Sequence, residues 1–198
     1  MKRRDLLKIS ALLGVSSLSS SVTLAMQAGV VSGKQSTRSL LTADQQKMLM
    51  VIAEHIIPRT DTPGAIDVGV PDFINQIVSS WYRDREREIF FQGLSSLDNF
   101  CQKSEGKSFF LSSVSTQILA LKDQEKKSVG KQNVLMFGEG FHVSSDEETP
   151  FFVKLKELVV VGYYTSEVGS KEELAYLPMP GYYDGNYDFN KIGRQWSQ

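Results

Sequence analysis

Apolar residues return every three or four positions in five separate stretches, and this spacing most constrains the fold. Leu49, Ile52, Ala53 and Ile56 form the first stripe, and Phe73, Ile74, Ile77, Val78 and Trp81 the second. Phe90, Leu94, Leu97 and Cys101 form a third, and Val114, Ile118 and Leu121 a shorter fourth. The fifth is Phe151, Phe152, Leu155, Leu158, Val159 and Gly162. A recurrence near 3.6 residues lines one side of a helix, whereas a half-buried strand alternates. The run Val159-Val160-Val161 has strand propensity, but the helical spacing around it outweighs that. The spacing predicts an all-α protein, a single compact helical domain of about five to six helices with an irregular, aromatic-rich C-terminal segment.

Local signals place the boundaries. Thr42-Ala43-Asp44-Gln45 is a capping-box pattern, in which the threonine oxygen and the glutamine amide satisfy free backbone groups. Pro58 stops that helix, because proline disfavours the α region in the residue before it. Residues 58–72 form a loop with a Pro63-Gly64 turn, and Pro71 suits the first turn of the next helix. The run Arg83-Asp84-Arg85-Glu86-Arg87-Glu88 reads as a solvated helix start or connection rather than a docking site. Gly106 ends the third helix, and Lys122 to Lys127 is a solvated charged end. Residues 128–148 are mostly loop, with a short helix around Val134-Leu135-Met136, and Pro150 opens the last long helix.

Six of the seven tyrosines lie in the tail: Tyr163, Tyr164, Tyr176, Tyr182, Tyr183 and Tyr187. Phe189 and Trp196 follow, while Pro178, Pro180, Gly181 and Gly185 disfavour regular structure. Such aromatics either fold back on the core or form a partner surface, since tyrosine and tryptophan bury area while keeping a polar handle. Both readings stand at this point.

The N-terminus reads as an export address. Lys2, Arg3, Arg4 and Lys8 supply positive charge, and residues 9–25 an apolar stretch diluted by serines. The pair Arg3-Arg4, followed by Asp5-Leu6-Leu7-Lys8, resembles the twin-arginine motif of bacterial export of folded cargo. Small residues at Thr23-Leu24-Ala25 place the cut after Ala25. An uncleaved anchor and an ordinary secretory signal are the competing readings. The expected organisation is a signal at 1–25, a flexible linker at 26–40 and a helical domain at 41–198.

Charge and chemistry narrow the function. The formal charge is -1, and the first 25 residues carry four basic residues and one acid, so the exported chain stands at -4. No basic stripe for nucleic acid is present. Cys101 is the only cysteine, which excludes an intramolecular disulfide, a CxxCH haem attachment and a four-cysteine metal site. Its place among Leu94 and Leu97 reads as a small buried hydrophobe. His55 and His142 lack metal-ligand spacing, and no nucleophile elbow, dinucleotide fingerprint or phosphate loop occurs. Gly138-Glu139-Gly140 lacks the rest of such a motif. Asp61 and Asp67 are candidates for a carboxylate pair, with turn-forming and capping roles favoured. No catalytic, cofactor-binding or metal residue is assigned. An export signal for folded cargo on a chain with no cofactor motif points to a partner as the cargo.

Two stretches carry a family resemblance. Ile56-Ile57-Pro58-Arg59-Thr60-Asp61-Thr62-Pro63-Gly64-Ala65 with Val68-Gly69-Val70-Pro71-Asp72-Phe73-Ile74 resembles the signature of the gluconate 2-dehydrogenase subunit 3 family. Gly162-Tyr163-Tyr164-Thr165-Ser166-Glu167-Val168-Gly169, and Leu174-Ala175-Tyr176 leading to Pro180-Gly181, add to it. The resemblance covers about residues 40–187. It implies a non-catalytic small subunit of a periplasmic dehydrogenase peripherally associated with the cytoplasmic membrane. It also implies a large glucose–methanol–choline-type subunit holding FAD, a cytochrome subunit holding haem c, and the twin-arginine translocase as partners. The small subunit would support the large one's export, maturation and stability. Candidate contact residues are Thr60, Asp61, Thr62, Pro63, Tyr163, Tyr164, Glu167, Tyr176, Tyr182 and Tyr183. The alternatives are an enzyme acting alone and a free-standing exported helical binding or structural protein.

Overall fold

The computed structural model describes residues 39–129, 149–177 and, near the C-terminus, 181, 186 and 188–196. The export motif, Ala25, the expected helix at 134–136, His142, Gly138-Glu139-Gly140, Tyr182, Tyr183 and Tyr187 lie outside the described residues. Five long helices carry the described fold: α1 (Ala43–Ile56), α2 (Val70–Ser80), α3 (Asp84–Glu105), α4 (Val114–Ser128) and α5 (Phe151–Tyr164). A 3-10 turn at Phe109–Leu111 joins α3 to α4, a π-type turn spans Gly169–Glu173, and α6 is the single turn Phe189–Ile192. Among the described residues there is no strand, and the domain is all-α as the spacing predicts. One isolated bridge pairs Ala175 with Trp196.

The helix ends follow the local chemistry. Thr42 Oγ1 accepts from the Gln45 amide at 3.2 Å while Gln45 Oε1 accepts from the Thr42 amide at 2.9 Å. That reciprocal pair satisfies two of the amides a helix start leaves open. Gly69 caps α2 with φ 79°, a left-handed conformation that glycine adopts without strain, and Pro71 follows in the first turn. Ser39 and Leu40, at the end of the expected linker, are tied to α2. Ser39 Oγ donates to Asn75 Oδ1 at 2.8 Å, and the Leu40 amide donates to Ser79 Oγ at 3.1 Å.

Helix α5 is the hub and packs against α1, α2, α3 and α4. Phe151, Leu155, Leu158 and Val159 are buried along it. The Phe90 ring of α3 meets Phe151 edge-on at 5.4 Å and Tyr82 at 6.0 Å. Edge-to-face pairs of this kind add to the area they bury.

Two sequence expectations change. The charged run at 83–88 is not wholly solvated, because Glu86 is 0 % exposed. Its carboxylate meets Lys154 Nζ of α5 at 3.1 Å, and Lys154 is also 0 % exposed. Glu86 Oε2 accepts from the Arg83 amide at 3.0 Å, and the Lys154 ammonium stands 5.2 Å from the Tyr82 ring centre. The ion pair, the amide and the ring together compensate two charges removed from water.

The second change is in α4. Val114 and Ile118 face outward at 61 % and 38 % exposure, and only Leu121 of the expected stripe is buried. Gln117, Ala120, Gln124 and Ser128 line the inner face with Leu121. The reason is hydrogen bonding. Gln117 Nε2 donates to Phe109 O at 2.9 Å and Ser112 O at 3.0 Å, carbonyls of the tight turn before α4. Gln124 Nε2 donates to Ser96 Oγ at 2.9 Å. An aliphatic side chain would supply none of these bonds.

The turn into α4 is held by Glu105. It accepts from the Ser113 hydroxyl and from the Ser113 amide at 3.0 Å. Bonds from the Ser113 hydroxyl first, then the Thr116 hydroxyl and the Ser113 amide, hold its carboxyl at about 2, against an ordinary 4.5. A lowered folded-state value contributes stability above the unfolded value and loses it as pH falls. Acid should therefore loosen this turn between about pH 4.5 and pH 2, and Glu105→Gln should remove that dependence, read by NMR titration of the Ser113 amide.

Singly replacing a member of the buried pair, as in Lys154→Met or Glu86→Met, should cost about 3–5 kcal/mol, because the surviving charge is left buried and uncompensated. The Glu86→Met/Lys154→Met double variant should recover most of that loss. Urea denaturation of the three variants beside the parent checks both expectations.

Candidate functional site

The 58–72 loop and the segment after α5 meet, although they are about a hundred residues apart. Tyr163 is 1 % exposed, and its hydroxyl donates to Pro63 O at 2.7 Å across a sequence gap of 100 residues. Thr62 Oγ1 donates to Glu173 Oε2 of the π-type turn at 2.6 Å, across 111 residues. Burial pushes the Tyr163 hydroxyl above its ordinary range, so it stays a protonated donor at neutral pH.

The loop is braced from within as well. Asp67 Oδ2 accepts from Arg59 Nε and from the Gly64 amide, each at 2.8 Å. The Arg59 guanidinium, and then the Gly64 amide, hold the Asp67 carboxyl below the usual carboxylate range. Arg59 is 67 % exposed, so water screens most of this pair's Coulomb energy and the bond chiefly sets geometry. Glu54 Oε1, at the end of α1, accepts from the Arg59 amide at 3.0 Å. The Ala65 amide donates to Ile57 O at 3.0 Å, and Ala65 plugs the core at 0 % exposure. Gly64 closes against this bend: a Cβ there would lie 2.7 Å from the Arg59 nitrogen. Only glycine permits that approach.

Five of the ten candidate contact residues are exposed around this junction: Thr60 and Asp61 on the loop, and Tyr164, Glu167 and Tyr176 on the C-terminal side. Thr62 and Pro63 are partly buried because they carry the bonds to Glu173 and Tyr163. Tyr163 therefore holds the loop instead of facing outward, and of the two readings of the tail aromatics it follows the core one. Tyr164 turns out at 39 % exposure, with its ring edge-on to Tyr163 at 5.2 Å. Tyr176 is 50 % exposed, with Lys171 Nζ 5.9 Å from its ring centre. Asp61 and Asp67 take different roles, one at the exposed tip and one as an internal brace.

Glu54, Arg59 and Glu173 belong to this site but were not singled out from the sequence. A charged residue in a loop or a short polar turn looks solvated until its distant partner is placed. For Arg59 a local signal existed: an aspartate eight positions on, beyond a Pro-Gly turn, is within bracing reach.

Among the described residues His55 and Cys101 sit within the scaffold. His55 Nε2 lies 2.7 Å from Gln117 Oε1, and since the Gln117 amide nitrogen is donating elsewhere, His55 must be the donor. Cys101 is buried, and its burial pushes the thiol up, away from the reactive thiolate. Among the described residues no group of three or more His, Cys, Asp or Glu gathers to hold a metal. Among them, too, no helix is long and apolar enough to cross a membrane. What the junction offers chemically is a shaped surface of hydroxyl, carboxylate and aromatic groups.

Tyr163→Phe and Glu173→Ala each remove one long-range bond to the loop. Each should cost about 1 kcal/mol of local stability and speed amide exchange at Thr62 and Gly64 several-fold. Exchange in the middle of α5 should stay unchanged.

Residues 43–181, well over half of the chain, match the family described as gluconate 2-dehydrogenase subunit 3. The match runs from the start of α1 past the 58–72 loop and the segment that latches it. No curated protein and no solved structure matches the chain. On the extent of that match, the chain belongs to the gluconate 2-dehydrogenase subunit 3 family.

Proposed function

We propose that this chain is the non-catalytic small subunit of a periplasmic, membrane-associated gluconate or sugar dehydrogenase. In this reading it binds the FAD-holding subunit, supports its maturation and stability, and carries it out of the cytoplasm under the twin-arginine signal. A cytochrome c subunit would take the electrons. FAD and haem belong to those partners, and no residue of this chain is assigned to hold them.

The observation that carries the reading is the junction of the 58–72 loop with the 163–176 segment. Two distant pieces of chain are bound together by Tyr163 and Glu173 into one surface, and its outward groups are Thr60, Asp61, Tyr164, Glu167 and Tyr176. A preformed surface loses less entropy when a partner docks than a floppy loop would. Family membership supplies the kind of complex. Arg3-Arg4, ahead of the serine-rich apolar stretch, supplies the export address.

Co-expression with the cognate flavoprotein subunit tests this. With Arg3→Lys and Arg4→Lys together, the flavoprotein should remain in the cytoplasm, read by cell fractionation and FAD fluorescence. Flavoprotein exported as well as with the parent chain would falsify the escort role.

A further inference from the structure

We propose that the C-terminal strap, residues 188–196, completes the partner-binding surface, with Phe189 and Trp196 as its apolar anchors. This rests on the complex proposed above and names a contact element beyond the two stretches that carry the family resemblance.

The strap is pinned to the latching segment. The Ala175 amide donates to Gln195 O at 2.7 Å, Ala175 pairs with Trp196, and Arg194 Nη1 donates to Glu172 O at 2.5 Å. Glu172 neighbours Glu173, which accepts from Thr62. The strap is thus continuous, through hydrogen bonds, with the 58–72 loop. Chain termini ordinarily fray unless something holds them. Holding this one buries almost nothing: every residue of 188–196 is exposed except Ile192, which is half-buried.

What the pinning does achieve is display. On the strap Phe189 is 58 % exposed and Trp196 42 %; on the segment to which it is pinned Tyr176 is 50 % and Leu177 49 % exposed. Isolated apolar residues on a surface are ordinary, but two large aromatics on a pinned, coreless strap, with two more large residues following Ala175 on the segment it pairs with, call for a partner. Tryptophan and tyrosine dominate such contacts because they bury large area at low entropy cost. Arg194 and Lys191 stand on the same strap, both exposed. Against the one acid, Asp188, they leave the strap net positive, so the complementary surface is apolar with an acidic rim, and the strap's hydrogen-bonded continuity with the 58–72 loop assigns it to the flavoprotein subunit.

The test uses the full chain co-expressed with the flavoprotein subunit. Three variants are compared with the parent: a deletion of residues 188–198, Phe189→Ala and Trp196→Ala. Affinity is measured by surface plasmon resonance, and the unfolding midpoint of the small subunit by calorimetry. Each variant should bind about tenfold more weakly or worse, with the midpoint unchanged because the strap lies outside the core. If the parent chain captures no flavoprotein, the complex itself fails, and this inference with it. If the parent binds and all three variants bind within about twofold of it, the strap assignment is overturned while the complex stands. Should the deletion lower the midpoint, the two point variants decide, since they keep the Ala175 amide bond to Gln195 and the Arg194 side-chain bond to Glu172. A deletion that dissolves a dimer of this chain and leaves flavoprotein binding intact assigns the strap to self-association and overturns the proposal.

Discussion

The Glu86–Lys154 pair fixes where α5 lies, and most of the structure depends on α5. Both groups are fully buried and meet at 3.1 Å. A charge in the interior is tolerated only against its partner, so a rotation of α5, or a slip by one residue, is costly in a way that apolar contacts are not. Apolar side chains slide past one another at modest cost. A buried ammonium facing a carboxylate that also caps a helix start has few alternative positions. The pair thus ties the start of α3 to the middle of the bundle and sets the register of the helix against which the other four pack.

That register reaches the candidate site. Tyr163 lies nine residues after Lys154 on the same helix, roughly 13 Å along the axis and on the opposite side, by helix geometry. With Lys154 held toward α3, Tyr163 is delivered to Pro63 on the far side of α5. The loop at 58–72 is then latched by a residue whose position was decided in the core. Scaffold and surface are coupled through one rigid helix, and the strap at 188–196 extends the same hydrogen-bonded unit outward from Glu172 and Ala175.

Much of the fold was legible in the chain because it follows local rules. The Thr42 capping box, the stop before Pro58, the glycine at 106 and the apolar stripes of α1, α2, α3 and α5 all appear where spacing and capping chemistry put them. Position α4 was only half legible. Its aliphatic residues have helical spacing, yet Gln117 and Gln124 take the inner face, where their amides donate to carbonyls of the preceding turn and to Ser96. Periodicity weighs hydrophobicity and is blind to the acceptors a neighbouring turn exposes. The site was legible as two unusual stretches. That Tyr163 and Thr62 reach across to join them was not.

By itself the sequence determined the helical class, the element boundaries and the family, since each rests on residues near one another in the chain or on the order of motifs along it. The pair Arg3-Arg4, which resembles a twin-arginine motif, is likewise written in consecutive residues. Only the tertiary structure decided which charges leave water, which face of α4 turns inward, and which tyrosine is a brace and which is surface. Those outcomes depend on groups far apart in sequence, such as Glu86 with Lys154 and Pro63 with Tyr163. Desolvation and hydrogen bonding are settled only when such groups meet.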